Sequence, residues 1–325
     1  SALLPRRSGE LRTADWRGGL GPVPELADPA AGLAPLGALA EGGAPAYDWS
    51  LNRVDGVWSD ELAQLVEGAA VTQWSASRDV PWDQAGPLPD FLERAVCQVT
   101  TFLAQNEYAA YYVPARFMSG VNPQFTEVLM WLASHVQDEA RHVEVFTKRA
   151  LANGARAYAF ASTERSLHSL LEEADFGASA LLLNVLGEGS FIDLLQFIVD
   201  HAPDPATATA ARLAHRDELR HVHFGVSHVR RLLRRHPESR EKLVAAVEAR
   251  ASRLVGLSGL NPAVTEALTV MAARSLQPAQ LSEGAAAVHD LLLRMAGNRV
   301  DRLREAGFDE PTARHLSDLH TPNLM

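Results

Sequence analysis

The sequence predicts an all-α fold, a bundle of long helices with further helices before and after it. Three observations point there. Apolar residues recur at helical spacing along most of the chain after residue 45. Alternating Val, Ile and Thr, the mark of strands, is scarce, and no Gly-rich phosphate loop follows a strand. A capping residue followed by proline stands twice where a long helix should begin, at Asn122-Pro123 and Asp204-Pro205.

Taken in order, residues 1–45 are rich in Pro, Gly and Ala and read as an irregular arm, and 46–325 read as a single helical domain. Asp60 is placed to cap a helix running to about Ser77, closed by the proline in "WSASRDVPW". Asp90, after Pro89, is expected to cap a second helix that ends near Pro114. Asn122 caps a third that reaches Leu151 and stops at Asn153-Gly154. A short helix is expected over 163–174 and a longer one over 178–200. Asp204-Pro205 opens a helix that ends at His236-Pro237. Its last turns carry "RRLLRR", Arg230 to Arg235, where cations suit the helix dipole and also offer an acidic partner a docking patch. Residues 238–325 read as helices broken near Gly259 to Pro262, at Gln277-Pro278 and at Gly307.

Composition narrows the function. The chain has 325 residues, 47% apolar and 22% charged, as a globular protein with a sizeable core should. No apolar run reaches the ~18 residues of a membrane span, so no membrane association is expected. The start lacks a basic-then-apolar signal, so a cytoplasmic location is expected. A net charge of −10 argues against a general nucleic-acid binder. The single cysteine, Cys97, excludes an internal disulfide framework, a cysteine zinc site and an iron–sulfur cluster. Twelve histidines tilt any metal chemistry toward nitrogen and oxygen ligands.

A weak internal duplication carries the chemistry. "DEARHVEVF" (Asp138 to Phe146) and "DELRHVHFG" (Asp217 to Gly225) each place Asp-Glu-x-Arg-His in the middle of a long helix. Glu139 and His142, like Glu218 and His221, are three apart and share one helix face. Either pair alone reads as well as a surface glutamate and a core-edge histidine; both in the same wording do not. Each of these helices follows one with a glutamate in an apolar segment: Glu107 in "FLAQNEYAAYY" and Glu188 in "LLLNVLGEGSFIDLL". A lone ion there is costly to bury, so these acids reach solvent or meet a cation. Two glutamates plus two Glu-x-x-His pairs are the ligand set of a dinuclear carboxylate site in a four-helix bundle. Four carboxylates also balance two divalent ions, which lets the assembled core sit in an apolar interior.

Over roughly residues 90–236 the sequence resembles the ferritin-like di-iron carboxylate superfamily. The resemblance implies a ferritin-like four-helix bundle in which Glu107 and His142 hold one metal, Glu188 and His221 the other, and Glu139 and Glu218 bridge. It also implies that Asp138 and Asp217 hydrogen-bond the far ring nitrogen of a ligand histidine on the opposite pair. Arg141 and Arg220 then lock those carboxylates, or else are plain surface arginines.

Departures from the pattern narrow the branch. Phe146 stands where reductase small subunits place a radical tyrosine, and Tyr108, Tyr111 and Tyr112 are out of that place. Ile192 replaces the threonine many hydroxylases carry, with Ser190 and Asp193 beside it. N-oxygenases resembling p-aminobenzoate oxygenase add a histidine where this chain has Ala214; His215 is next to it, and His135 holds the matching place in the first pair. Either is a candidate extra ligand. Gly187 and Gly189 flank Glu188 and predict a helix distortion beside the site, or close helix packing.

The function expected from the resemblance is a non-haem di-iron oxygenase. It activates O2 to hydroxylate or N-oxygenate a small organic substrate in secondary metabolism, using two Fe ions (Fe2+/Fe3+). A ferroxidase, or an Mn/Fe ligand-binding oxidase without substrate oxygenation, is the alternative. The sequence holds no flavin, nicotinamide or iron–sulfur motif, so an external reductase or ferredoxin is the expected electron donor, and a homodimer is the expected assembly.

Overall fold

A computed structural model describes residues 9–18, 20–43, 45, 47–255 and 261–320. Among these residues there are eleven α-helices and no strand beyond two isolated bridges, Leu26 with Arg53 and Leu51 with Val121. The helices are α1 (Thr13–Gly18), α2 (Leu62–Val71), α3 (Asp90–Met118), α4 (Thr126–Leu151), α5 (Ala161–Leu171), α6 (Phe176–His201), α7 (Pro205–Arg235), α8 (Ser239–Arg253), α9 (Pro262–Ala273), α10 (Pro278–Glu305) and α11 (Glu310–His320).

Four long helices make the core. α3 pairs with α4 and α6 with α7, each across a short connection, and α4 packs on α7 to join the two hairpins. α9 lies on α3, α10 lies on α6, and α9 and α10 pack on each other. α2 lies across α4 and α7.

The caps form where the sequence places them. Asn122 accepts from the N–H of Gln124 at 3.0 Å, and a 3-10 turn over Pro123–Phe125 leads into α4. Asp204 accepts from the N–H of Thr207 at 2.7 Å. Beyond α4, Gly154 adopts φ +78, a left-handed turn that suits glycine.

Several boundaries differ from the sequence reading. α2 is shorter at both ends. The Asp60 carboxylate faces Arg231 and Arg234 rather than the helix start, and Ser59 Oγ accepts from the Glu61 N–H at 3.2 Å. Thr72 Oγ1 and Gln73 Nε2 donate to the carbonyls of Gly68 and Ala69, both at 2.7 Å, and close α2 early. Asp90 begins α3 without capping it, pairing instead with Arg94 at 3.0 Å. α3 continues through Pro114, and Arg116 in its last turn donates to the carbonyls of Leu170, Leu171 and Glu173. The arm is not wholly irregular: α1 is held by Thr13, whose N–H and Oγ1 donate to Glu67 of α2 at 2.7 and 2.6 Å. Gly259 lies outside the described residues.

The basic run on α7 serves the fold. Arg230 meets Glu61, Arg231 and Arg234 meet Asp60, and Arg235 meets Asp55 and Glu25, all on segments before α3. Its charges are matched within the chain. α6 is long and apolar enough to cross a membrane, yet 78% of its most apolar window is buried inside the protein, as an inner bundle helix must be.

α6 is distorted beside the site. Leu181–Glu188 form a π-helical stretch, and regular α-helix resumes at Gly189. Gly189 also packs closely: a Cβ there would sit 2.6 Å from Arg302 Nε. Gly225 of α7 faces the same stretch, where a Cβ would lie 2.5 Å from Asn184 Cβ. Asn184 Cβ is fixed to the backbone, so the helices themselves must part. Gly225→Val is expected to cost about 1–3 kcal/mol, read in denaturant unfolding. Gly297→Ala on α10, where a Cβ meets nothing within 4 Å, is expected to add up to about 1 kcal/mol.

Candidate metal centre

Each core helix sends side chains inward from its middle. Glu107 comes from α3, Glu139 and His142 from α4, Glu188 from α6, and Glu218 and His221 from α7; all six are at most 1% exposed. They converge into two groups whose nitrogen and oxygen atoms lie within 4.8 Å of one another: Glu107, Glu139, His142 and Glu218, and His135, Glu139, Glu188 and His221. Glu139 is common to both. Glu218 also spans the two, 3.3 Å from the Nδ1 of His142 and 3.3 Å from that of His221.

The donor atoms are unmatched within the protein. Both oxygens of Glu107, Glu139 and Glu218, and the Nδ1 atoms of His142 and His221, have no hydrogen-bond partner. Contacts of 2.9–3.3 Å between the two Nδ1 atoms and Glu139 are close but not aligned as hydrogen bonds. Each such buried orphan costs about 1–3 kcal/mol, more where charged. Eight of them aimed at one interior region suit two divalent cations.

Charge within the cluster is uneven. Burial, then the Glu139 and Glu218 carboxylates, holds the Glu107 carboxyl well above the usual range, and burial raises Glu188. Burial would also raise Glu139, but His142, His135 and His221 overcome it and keep that carboxylate well below its usual range. Burial opposes protonation of His142 and His221, yet Glu139 with Asp217 raises the first well above normal, and Asp138 with Glu139 raises the second. Cations entering the core must therefore displace protons. Metal loading is expected to release protons, and apparent affinity is expected to fall with falling pH from above the usual histidine range downward. Indicator-dye titration during loading checks both.

An outer ring fixes the histidines. Asp138 lies 3.3 Å from the Nε2 of His221 and Asp217 lies 3.4 Å from the Nε2 of His142, each reaching the opposite helix. With Nε2–H donating to a carboxylate, Nδ1 is left free to face the cluster. Burial would raise both aspartates, but their bonds to these histidines hold them below the usual range. Arg220 reaches Asp138 at 2.7 Å and Asp217 at 2.8 Å; Arg141 reaches Asp217 at 3.1 Å and also holds Asp138. The two arginines thus grip both carboxylates rather than facing solvent.

Two partners escaped the sequence reading. Trp74 Nε1 donates to Asp217 at 2.6 Å; its ring stacks 6.3 Å from that of His142, beneath the Arg141 guanidinium. Its segment reads only as the end of a helix, and no spacing signal ties it to α7. Asn184, one turn before Glu188, donates to that carboxylate at 2.6 Å.

The other candidates separate cleanly. His135 joins a cluster; His215 is half-buried and joins neither. His223 pairs with Glu61. The Phe146 ring lies 6.5 Å from that of His142, and Tyr108 and Tyr112 are largely exposed. Ser190 donates to the Leu186 carbonyl at 2.8 Å, and Asp193 accepts from Asn298 at 2.6 Å, so neither is bound into the cluster. An apolar cavity of about 20 Å³ adjoins His135 and Asn184, walled by Val113, Phe117, Leu132, Phe176 and Phe224.

No protein-family model and no curated protein matches the chain. Solved structures do. A variant of an R2-like ligand-binding oxidase with aerobically reconstituted Mn/Fe cofactor matches at 17% identity and a TM-score of 0.58, covering 76% of this chain and 94% of that one. A variant with aerobically reconstituted Fe/Fe cofactor matches at 16% identity and 0.56, with the same coverage. Another preparation with Mn/Fe cofactor matches at 16% and 0.56, covering 76% and 93%. The chain therefore has the all-α, ferritin-like fold of the R2-like ligand-binding oxidases, with two buried carboxylate–histidine groups suited to a dimetal site.

Proposed function

We propose that the chain is an O2-dependent dimetal oxidase, its cofactor a di-iron or Mn/Fe pair, that oxygenates a small organic substrate. The observation that carries this is the set of orphaned, convergent donor atoms on Glu107, Glu139, His142, Glu218 and His221 inside a ferritin-like bundle. Glu107 and His142 would hold one ion and Glu188 and His221 the other, with Glu139 and Glu218 between them. When bound, the pair supplies the redox chemistry with O2; the protein supplies position, dryness and proton control.

The chain's own groups divide that work. Asp138 and Asp217, locked by Arg141 and Arg220, hold the histidine tautomers. Asn184 orients Glu188. Mostly aromatic and aliphatic side chains wall the cavity beside His135, with no Lys, Arg, Asp or Glu among them. At about 20 Å³ it has room for about one water-sized molecule, so it marks a point of approach to the site rather than a substrate pocket. Trp74, only 8% exposed and bonded to Asp217 behind His142, gives an external electron donor a path inward. Trp74→Phe is expected to slow reduction of the loaded protein by a chemical donor while leaving metal content unchanged.

The Mn/Fe cofactor of the matched oxidases favours a second reading, a ligand-binding oxidase that consumes O2 without oxygenating a released substrate. Reconstitution with Fe alone and with Mn plus Fe, then exposure of the reduced protein to labelled O2 with candidate substrates, separates the two. Label in a released product supports oxygenation; O2 uptake without it supports the second reading. No O2 uptake with either cofactor rejects both.

A further inference from the structure

We infer that His135 is a third histidine ligand, so that the two metal positions are chemically unequal. The inference rests on the dimetal reading above and deepens it.

His135 sits one turn before Glu139 on α4 and is 2% exposed. Its Nε2 lies 3.1 Å from Glu188 Oε1 and 3.5 Å from Glu139 Oε1. Glu139 Oε1 is in turn 2.9 Å from His221 Nδ1. These four donors converge as one group, and the His135 ring lies face to face with that of His221, centroids 3.8 Å apart. A histidine serving only to orient Glu188 would duplicate Asn184, which already donates to the other oxygen of that carboxylate at 2.6 Å. Nothing equivalent stands in the other group, where three carboxylates meet one imidazole. With Glu139 and Glu218 between the positions, each meets three carboxylates, but one carries a single imidazole and the other carries two. His135 also reaches its position through Nε2, whereas His142 and His221 present Nδ1. Because His135 lines the apolar cavity, the nitrogen-rich position is the one beside it.

Proton NMR of the protein loaded with two Co(II) ions tests this without turnover. Each coordinated histidine keeps one N–H, whose resonance is shifted far downfield and disappears in D2O. Three such resonances are expected, falling to two in His135→Gln, which retains a hydrogen-bond donor for Glu188. In visible titration with Co(II), His135→Gln is expected to weaken one equivalent by at least about tenfold and leave the other unchanged, since even partners outside the coordination sphere are worth about that much. Two resonances in the native chain, unchanged in His135→Gln, overturn the third ligand while leaving the dimetal site intact. Failure of the native chain to take up two ions overturns the dimetal reading and this inference with it.

Discussion

Glu139→Ala is expected to lose both metal ions, not one. Glu139 is the single residue common to both donor groups, and it contacts the Nδ1 atoms of His142 at 3.3 Å and His221 at 2.9 Å. Alanine removes a ligand from each position at once. It also removes the carboxylate that most raises His142, leaving Asp217 and Glu218 beside that ring. Glu107→Ala, by contrast, touches only the group that holds His142, and is expected to leave one ion bound. Elemental analysis after dialysis against free metal checks both variants. Thermal unfolding gives an independent readout, because each ion at 100 times its Kd adds about 2.7 kcal/mol to the native state. Native protein should gain stability on metal addition and Glu139→Ala should gain none. Two ions retained by Glu139→Ala would sink the ligand assignment.

That Glu and His of each pair share a helix face was legible from spacing, and that the pairs meet Glu107 and Glu188 was legible only through the resemblance. Helix geometry also separates the two candidate extra histidines. His135 is seven residues before His142, about 20° round the helix, whereas His215 is six before His221, about 120° round. Where the sequence reading misses, a tertiary contact overrides a local signal. α3 runs past Pro114, its last turn tied by Arg116 to carbonyls at the end of α5 and just after it, and Asp60 abandons its cap for arginines of α7. The run from Arg230 to Arg235 looks like a free basic patch until its acids, scattered over residues 25–61, are brought alongside. Trp74 is the same case at the site: its value lies in Asp217, 143 residues away.

Outside the metal cluster, the largest stability effect is expected at Arg149, which is fully buried at one end of the bundle. All three of its guanidinium nitrogens are bonded: to the two Glu93 oxygens at 2.7 and 3.1 Å, to Asp204 at 2.9 Å and to Thr207 Oγ1 at 2.7 Å. It thereby ties α4 to α3 and to the cap of α7, and Asp204 is itself that cap. Arg149→Leu leaves two carboxylates buried without a cation, a change worth about 3–5 kcal/mol. Lysine is expected to recover only part, because a single ammonium cannot fork across Glu93 and Asp204 together. Arg149→Leu combined with Glu93→Leu is expected to be more stable than Arg149→Leu alone, since it removes one uncompensated charge. Arg149 lies about two turns along α4 from His142, so a folded Arg149→Leu chain is expected to keep its metal. Denaturant unfolding with elemental analysis of the same samples checks the pair of expectations. A loss under about 1 kcal/mol would show that water already reaches Glu93 and Asp204, and that the cluster is not the clamp its burial indicates.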